Sequence, residues 1–311
     1  MPSQAGVKVS VVVTTYNHER FAAQAVESVI SQQTTFPYEV LLADDCSTDG
    51  TMQVLRRFER ESSERVRVIV AERNRGDGGK RFFAEVLRLC KGEMVALLDG
   101  DDFWTAPDKL QVQADYLDAH RDFSLCFHDV KNVDETGTGE LAREPAGTGN
   151  PVATIQDLLA SCFIAACSPM FRTSVLVPVP EWYFEMPWGD WPLYLIAAAH
   201  GRIGHLDRVM GAYRIHGGGM WSGLDVVTQN RQVVEFYRTL LSVLDQRHHP
   251  LLRQMTSIRY NRLARAHLER REWREARRCA LLALQAKPIG GHHDLKTLLG
   301  ALLVPRVSSA R

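Results

Sequence analysis

The chain has 311 residues, of which 45% are hydrophobic and 24% charged, a composition typical of a globular protein and not of a disordered one. Its 37 Lys and Arg balance its 37 Asp and Glu, so the overall charge gives no case for nucleic-acid binding. Six cysteines without a CxxC pair or zinc spacing indicate a reducing compartment. The N-terminus shows no signal-peptide pattern, and no apolar run is long enough to span a membrane. We therefore expect a cytoplasmic protein.

Four short apolar runs predict buried strands, at residues 9–13, 38–43, 66–70 and 94–98. In the runs at 9–13, 38–43 and 94–98 the hydrophobicity is continuous where a half-exposed strand would alternate, which is typical of parallel strands covered on both faces. Apolar residues at helical spacing follow the first two runs, between residues 21 and 30 and between residues 52 and 58. Alternating strands and helices predict an α/β protein with a doubly wound, mostly parallel sheet.

Polar loops follow these runs and carry Thr14, Asp45, Asn74 and the acidic stretch LLDGDDFW, residues 97–104. In a doubly wound sheet, the loops at the carboxyl ends of the strands line one crevice, where ligands bind. The three carboxylates of the acidic stretch repel one another unless a positive charge lies among them. A solvated acidic turn is the simpler interpretation, but convergence of four polar loops favours a site for Mn²⁺ or Mg²⁺.

Five segments carry a further pattern, in this order: VSVVVTTYNHERFAAQAVESVISQ, VLLADDCSTDGT, NRG, GEMVALLDGDDFWTAPDKLQ and GDWPLYLIAAAHGRIGHLDRVMGAYRIHGGGMWS. Together they resemble the successive motifs of the family 2 glycosyltransferases of the GT-A fold, over about residues 8 to 222. The resemblance implies a nucleotide-sugar donor, with a UDP-sugar favoured, and a divalent cation, Mn²⁺ or Mg²⁺. It also implies transfer to an acceptor hydroxyl with inversion at the anomeric carbon.

Carried over by position, the resemblance implies a general base, a metal site and a donor site. Asp190 would be the base, and Asp101 and His216 would bind the metal. The donor would be held by Thr14, Tyr16, Asp45, Asn74, Asp99 and Gly100. Three tryptophans near Asp190 would form the acceptor side, namely Trp182, Trp188 and Trp191.

Two of these residues have structural alternatives. Asp190 precedes Trp191 and Pro192 at a helix start, so it is also a good N-cap. A single histidine such as His216 is often structural, although the three glycines after it would let the backbone approach a phosphate.

After about residue 223 the pattern changes to long helices, so we expect a catalytic domain over residues 1–223 and a helical region over residues 224–311. Within that region, about residues 256–288 resemble a single tetratricopeptide hairpin. One such repeat cannot bury its own faces, so it should pack on the catalytic domain, on a second copy to form a homodimer, or on a partner. Nine Arg against three Glu between Arg253 and Arg278 fit a solvated face or an anionic acceptor or membrane surface.

Three classes of function follow from the sequence. The first is an inverting glycosyltransferase of the hexosyltransferase class, EC 2.4, acting on a glycan, lipid-linked, small-molecule or peptide acceptor. The second is a glycoside hydrolase, whose paired carboxylates would have to flank the sugar. The third is a non-catalytic module that binds a sugar nucleotide or a partner. Peripheral attachment at the inner face of the membrane is a further expectation, and residues 135–151, rich in Gly and Thr, are predicted to form a mobile surface loop.

Overall fold

A computed structural model describes residues 6–141, 150–218, 221, 223–288 and 295–303. The chain divides into two compact units. The first contains the described residues up to Phe184 together with Trp188–His216, and the second contains Glu185–Pro187 and the described residues from Gly217 onwards. Of the predicted surface loop at residues 135–151, positions 142–149 lie outside the described residues.

The first unit is built on one ten-stranded sheet. Its strands are β1 Val9–Thr15, β2 Tyr38–Asp44, β3 Val66–Val70, β4 Met94–Asp99, β5 Phe103–Trp104, β6 Phe123–Val133, β7 Glu140–Leu141, β8 Val152–Ala153, β9 Met170–Arg172 and β10 Arg202–Arg214. The main order is β3-β2-β1-β4-β9-β6-β10-β5, with β7 beside β6 and β8 beside β10. Strands β3, β2, β1 and β4 run parallel, as do β6 and β10, whereas β9 is antiparallel to both its neighbours. The predicted α/β class is confirmed.

Helices connect the strands of the first unit and make up most of the second. In the first unit they are α1 Ala22–Ile30, α2 Thr51–Glu61, α3 Lys80–Leu87, α4 Lys109–Ala119, α5 Ile155–Ala160, α6 Thr173–Leu176 and α7 Asp190–Ala198. In the second they are α8 Val226–Val243, α9 His249–Glu269, α10 Trp273–Ala286 and α11 Leu295–Leu302. The four apolar runs of the sequence lie in β1 to β4, and β2 is buried along its whole length. A helix such as α1 covers the sheet with small and branched side chains, among them Ala22, Ala25 and Val29.

The second unit has its own hydrophobic core. Helices α9 and α10 are joined by three residues, and Arg271 at the turn has a positive φ of 59°. The two helices pack through small side chains, which include Ala264, Ala276, Ala280 and Ala283. None of the described helices combines the length and hydropathy that crossing a membrane would take. All six cysteines carry free thiols.

A buried cation lies beneath the sheet of the first unit. Lys109, the first residue of α4, is 0% exposed, and its Nζ has no hydrogen-bond partner among the described residues. The ammonium lies 3.8 Å from the centroid of the Trp104 ring, so a cation–π contact offsets part of its desolvation. Burial lowers the pKa of Lys109 to about 7. The native state therefore holds this charge at a cost.

Lys109→Met is expected to raise the free energy of unfolding at pH 7 by about 2 kcal/mol, because it replaces a buried charge by an apolar chain of similar length. In the wild type, the unfolded state binds more protons at Lys109 between about pH 7 and pH 10, so stability rises with pH across that range. The variant should lose this rise, which urea denaturation at several pH values would measure. The exposed Lys91→Met is the matched control and should leave both stability and its pH dependence unchanged. A destabilised Lys109→Met protein would contradict the argument.

Candidate active site

The register of the parallel strands brings the predicted polar residues to one edge of the sheet. Thr14 lies opposite Asp99 in the ladder between β1 and β4, and Thr15 lies opposite Asp44 in the ladder between β1 and β2. The Thr14 hydroxyl donates to Asp99 Oδ1 over 2.5 Å, which is typical of a bond to a charged acceptor. The ends of β1, β2 and β4 thus form one polar margin.

Three carboxylates converge at the end of β4. Asp99, Asp101 and Asp102 each offer an oxygen, and these oxygens lie within 4.8 Å of one another. Asp102 is 2% exposed, and its Oδ1 accepts a 2.8 Å hydrogen bond from the backbone N–H of Arg214 at the end of β10. The Arg214 Nε in turn donates to the carbonyl oxygen of Asp101 over 2.7 Å. The last residue of β10 therefore holds the acidic loop by both main chain and side chain.

At Gly100 the acidic loop approaches the end of β1 so closely that a side chain would not fit. Its N–H donates to the carbonyl oxygen of Thr14 over 2.7 Å. A Cβ at this position would lie 2.5 Å from Thr15 Cγ2 and 2.9 Å from His18 Nδ1, distances that side chains do not tolerate. The absence of a side chain lets the acidic loop lie against the end of β1.

The carboxylates of the acidic loop are strongly coupled. Burial, and then the Asp101 carboxylate, raise the pKa of Asp99 to about 7, against the lowering effect of the Thr14 hydrogen bond. Burial and Asp101 also raise the pKa of Asp102 well above its ordinary value. Asp190 contributes to the shift at Asp99, so its charge acts on the same site. Such a set binds protons or a cation more readily than isolated carboxylates do.

Two imidazoles lie beside Asp101. His216 Nε2 is 3.0 Å from Asp101 Oδ2, and the His216 ring contacts Phe21 with the ring centroids 4.9 Å apart. His18 Nε2 lies 3.7 Å from the same carboxylate oxygen, and burial lowers the pKa of His18. Sequence reasoning missed His18, although it lies in the loop directly after β1. Carboxylate oxygens and a neutral imidazole form a donor set that fits a divalent cation.

The adjacent aspartates at the end of β2 have different surroundings. Asp44 is fully buried and accepts hydrogen bonds from Thr15 and from both the N–H and the hydroxyl of Ser47. Asp45 Oδ1 has no hydrogen-bond partner among the described residues. Burial, and then Asp77, raise the pKa of Asp45. Of this pair, only Asp45 has a carboxylate oxygen without a hydrogen-bond partner among the described residues, and that oxygen is buried.

Of the other predicted donor residues, Asn74 contacts Asp45. Asn74 donates through Nδ2 to the Asp45 carbonyl oxygen over 3.4 Å, and its Oδ1 accepts from the Gly76 N–H. Gly79, with a φ of 72°, lies so close that its Cβ would be 3.5 Å from Asp45 Oδ2. The Tyr16 side chain is 45% exposed and lies in the loop after β1.

Asp190 begins α7, and Gly189 is the N-cap of that helix. The N-cap interpretation of Asp190 is therefore wrong by one residue, and Gly189 has no side chain with which to cap. Burial raises the pKa of Asp190, although hydrogen bonds from the N–H groups of Trp191 and of Asp190 itself oppose the shift. At the first turn of a helix these N–H groups have no intrahelical acceptor, so they are available to a carboxylate.

The three predicted acceptor-side tryptophans differ in exposure. Trp191 is 4% exposed, and its indole N–H donates to the Leu158 carbonyl oxygen over 2.9 Å, which joins α7 to α5. Trp188 is half-buried and stacks on Trp191 with the ring centroids 6.2 Å apart. Trp182 is also half-buried. Trp188 and Trp182 therefore have ring surface to offer a ligand, whereas Trp191 supports Trp188 from the core.

Comparison with known proteins gives concordant matches. The family model for glycosyl transferase family 2 matches residues 10–176, more than half of the chain. The uncharacterized protein Rv1520 of Mycobacterium tuberculosis is 34% identical over 216 residues, which cover 68% of this chain and 60% of that protein. The match thus spans about 60% of the relative's length.

Two solved structures share the fold. Staphylococcus aureus TarS 1-349 in complex with UDP-GlcNAc matches with a TM-score of 0.65 at 22% identity, over 91% of this chain and 82% of that one. The mannosyltransferase PcManGT from Pyrobaculum calidifontis, in complex with GDP-Man and Mn²⁺, matches with a TM-score of 0.60 at 18% identity, over 97% and 81% of the two chains. These likenesses confirm the GT-A type of fold.

A divalent cation should stabilise the protein more at pH 8 than at pH 5. The pKa of Asp99 is about 7 in the folded state, above its value in the unfolded chain. The protonated Asp99 therefore contributes to the free energy of unfolding in full below about pH 4, and this contribution is lost as the pH rises through 7. A cation replaces the lost protons, so saturating Mn²⁺ should raise the melting temperature at pH 8 by about 5 °C. Differential scanning calorimetry with and without a chelator would measure this shift.

Asp101→Asn should abolish the Mn²⁺-dependent shift, because it removes the carboxylate that faces both histidines. The exposed Asp115→Asn on α4 is the matched control and should keep it. An equal response to Mn²⁺ in the Asp101→Asn protein would refute the cation site.

Proposed function

Because the chain belongs to glycosyl transferase family 2, we propose that it transfers a sugar from a nucleoside diphosphate sugar to an acceptor hydroxyl, with inversion at the anomeric carbon. The observation that carries this proposal is the convergence of Asp99, Asp101 and Asp102 at the carboxyl ends of the parallel strands. A departing diphosphate gains negative charge, and a cluster of hard oxygen ligands is suited to hold the ion that neutralises it.

The donor nucleoside would lie between the ends of β1 and β2. Asp45 Oδ1, which is buried and has no hydrogen-bond partner among the described residues, would accept a hydrogen bond from a base N–H. Asn74, which donates to the Asp45 carbonyl oxygen, and Tyr16 in the loop after β1 would be the further donor contacts. Thr14 already donates to Asp99 and so fixes the carboxylate that would approach the ribose. A UDP-sugar is the favoured donor, as the resemblance to the family implies. The solved structures that share the fold include complexes with UDP-GlcNAc and with GDP-Man.

Asp101 and His216 would hold Mn²⁺ or Mg²⁺, with Asp99 and Asp102 as neighbouring acidic groups. When bound, the cation would supply positive charge to the diphosphate oxygens. The chain's own contribution is geometric: Arg214 holds the Asp101 main chain, and Asp102 holds the Arg214 main chain. The ligand oxygens are therefore in place before any donor arrives.

Asp190 would act as the general base. As the acceptor oxygen bonds to the anomeric carbon, its proton moves to the Asp190 carboxylate and the bond to the diphosphate breaks. Burial raises the pKa of Asp190, which makes the carboxylate a stronger base than an exposed aspartate. Trp188 and Trp182 would present ring faces to the acceptor, whose classes are glycans, lipid-linked acceptors, small molecules and peptide side chains. 

The glycoside hydrolase alternative has less support, because its two carboxylates must act from opposite sides of the sugar. In this protein three acids share one loop within 4.8 Å. We further propose that the protein is cytoplasmic and works at the inner face of the membrane, with a homodimer through the C-terminal helices as an additional assembly.

A donor screen tests the proposed function. Melting temperature and donor hydrolysis would be measured with uridine, guanosine and thymidine sugar nucleotides in the presence of Mn²⁺. We expect a rise in melting temperature and slow hydrolysis with one nucleotide class, the uridine class first. If no sugar nucleotide alters the melting temperature or is hydrolysed, the proposal fails.

Asp190→Asn should lower the turnover of a donor–acceptor pair found in this way by about 10² to 10⁴ and leave nucleotide affinity nearly unchanged. Because burial raises the pKa of Asp190, the activity of the wild type should rise with pH through a pKa higher than that of an exposed aspartate. The Asp190→Asn variant should not show this rise. Initial rates across pH and nucleotide titrations give both quantities. The exposed Glu181→Gln is the matched control and should keep wild-type rates. Near-normal turnover of Asp190→Asn would move the search for the base elsewhere.

A further inference from the structure

The neutral net charge of the chain hides an unequal distribution. Residues 224–311 carry 16 Lys and Arg against 7 Asp and Glu, whereas residues 1–223 carry 21 against 30. The helical region therefore has a net charge of +9 and the remainder −9. A net charge of this size on one region attracts surfaces of the opposite sign.

Helix α10 concentrates part of this charge on one side. Ala276, Cys279, Ala280 and Ala283 are buried in the core of the second unit. At 100° per residue, the opposite side presents one arc of about 140°. That arc also includes Leu284 and Gln285 and contains no acidic residue; its members Trp273, Arg274, Arg277, Arg278 and Leu281 are here called the outer face of α10.

The cations of the outer face have little internal compensation. Among the residues that the structure describes, no carboxylate lies within ion-pair distance of Arg274 or Arg277. Arg278 approaches Glu275 only at 3.8 Å, an exposed pair that contributes little. The charge of this face is therefore available to a partner.

Large apolar side chains lie among these cations. Trp273 is 38% exposed and Leu281 is 46% exposed, and the two are eight residues apart on the same arc. In helix α11, the exposed Lys296 accompanies Leu299 at 55% exposure, and Leu303, directly after the helix, is 74% exposed. On the outer face of α10, Leu281 lies between Arg277 and Arg274, and Trp273 lies at the edge of the arc, so the face combines cations with exposed apolar surface.

We propose that the outer face of α10 docks on an anionic lipid surface. Arginines would pair with the phosphate-bearing headgroups, while Trp273 and Leu281 would enter the boundary between headgroups and acyl chains. A soluble polyanion would use the arginines but leave Leu281 in water, which is why the lipid surface is the better match. The inference deepens the proposed location at the membrane and is independent of the transfer chemistry.

Vesicle sedimentation of the full-length protein tests this inference. We expect binding to phosphatidylcholine vesicles that contain about 30% phosphatidylglycerol, weak binding to phosphatidylcholine alone, and release at high salt. Arg274→Gln/Arg277→Gln/Arg278→Gln should weaken binding to the anionic vesicles by about 100-fold. Trp273→Ala/Leu281→Ala should weaken binding to the anionic vesicles by about 10-fold. Because this loss comes from apolar contacts, it should depend less on the salt concentration than the loss caused by the arginine substitutions.

The matched control is Arg56→Gln/Arg57→Gln/Arg60→Gln, which removes three exposed arginines from α2 of the first unit and should bind as the wild type does. Unchanged melting temperatures would show that all variants are folded. Equal binding to both vesicle types, or wild-type binding by the α10 triple variant, would overturn the proposal. Binding to inorganic polyphosphate without binding to vesicles would also overturn it and identify a soluble polyanion as the partner. None of these outcomes depends on sugar transfer.

Discussion

The contact between Asp102 and Arg214 is the constraint on which the candidate site depends. Asp102 accepts from the Arg214 N–H, and the Arg214 side chain donates to the carbonyl oxygens of Asp101 and Glu135 and to Gln24 Oε1. One residue, 4% exposed, thus joins the loop after β4, the turn after β6, helix α1 and the end of β10. Hydrogen bonds to charged groups contribute about 1.5–3 kcal/mol each. This network offsets the repulsion among carboxylates that would otherwise separate.

The sequence alone predicted those strands of the sheet that a short run of neighbouring apolar residues marks. Nearly continuous apolar runs predicted β1, β2 and β4, because a parallel strand covered on both faces is apolar at most positions, and a shorter apolar run predicted β3. The same logic placed Thr14, Asp45 and Asp99 at one edge, since parallel strands end on the same side. The antiparallel insertion of β9 between β4 and β6 had no such signal. Three residues are too few to show a period.

The roles of individual side chains depend on partners that are distant in the chain. Asp44 and Asp45 are adjacent residues of the same type, yet only the Asp44 carboxylate accepts hydrogen bonds from Thr15 and Ser47. Arg214 lies 112 residues beyond Asp102 and gave no signal as a binding residue. The position of Asp190 at the first turn of α7, one residue after Gly189, depends on backbone angles that no propensity specifies. Trp191 pointed to the core because of a bond to Leu158 in another helix.

Gly100 has a consequence for how such a site could diversify. A Cβ at Gly100 would meet the side chains of Thr15 and His18 and the Thr14 carbonyl oxygen at 3.0 Å or less, so a larger residue here requires these groups or the loop to move. Tyr16 at 45% exposure and the half-buried Trp182 and Trp188 have no such restriction. Residues can therefore be substituted at the positions that would contact the donor base and the acceptor, while the conformation of the acidic loop is retained. The architecture separates the part that would perform the reaction from the parts that would choose its reactants, which lets one scaffold acquire new specificities.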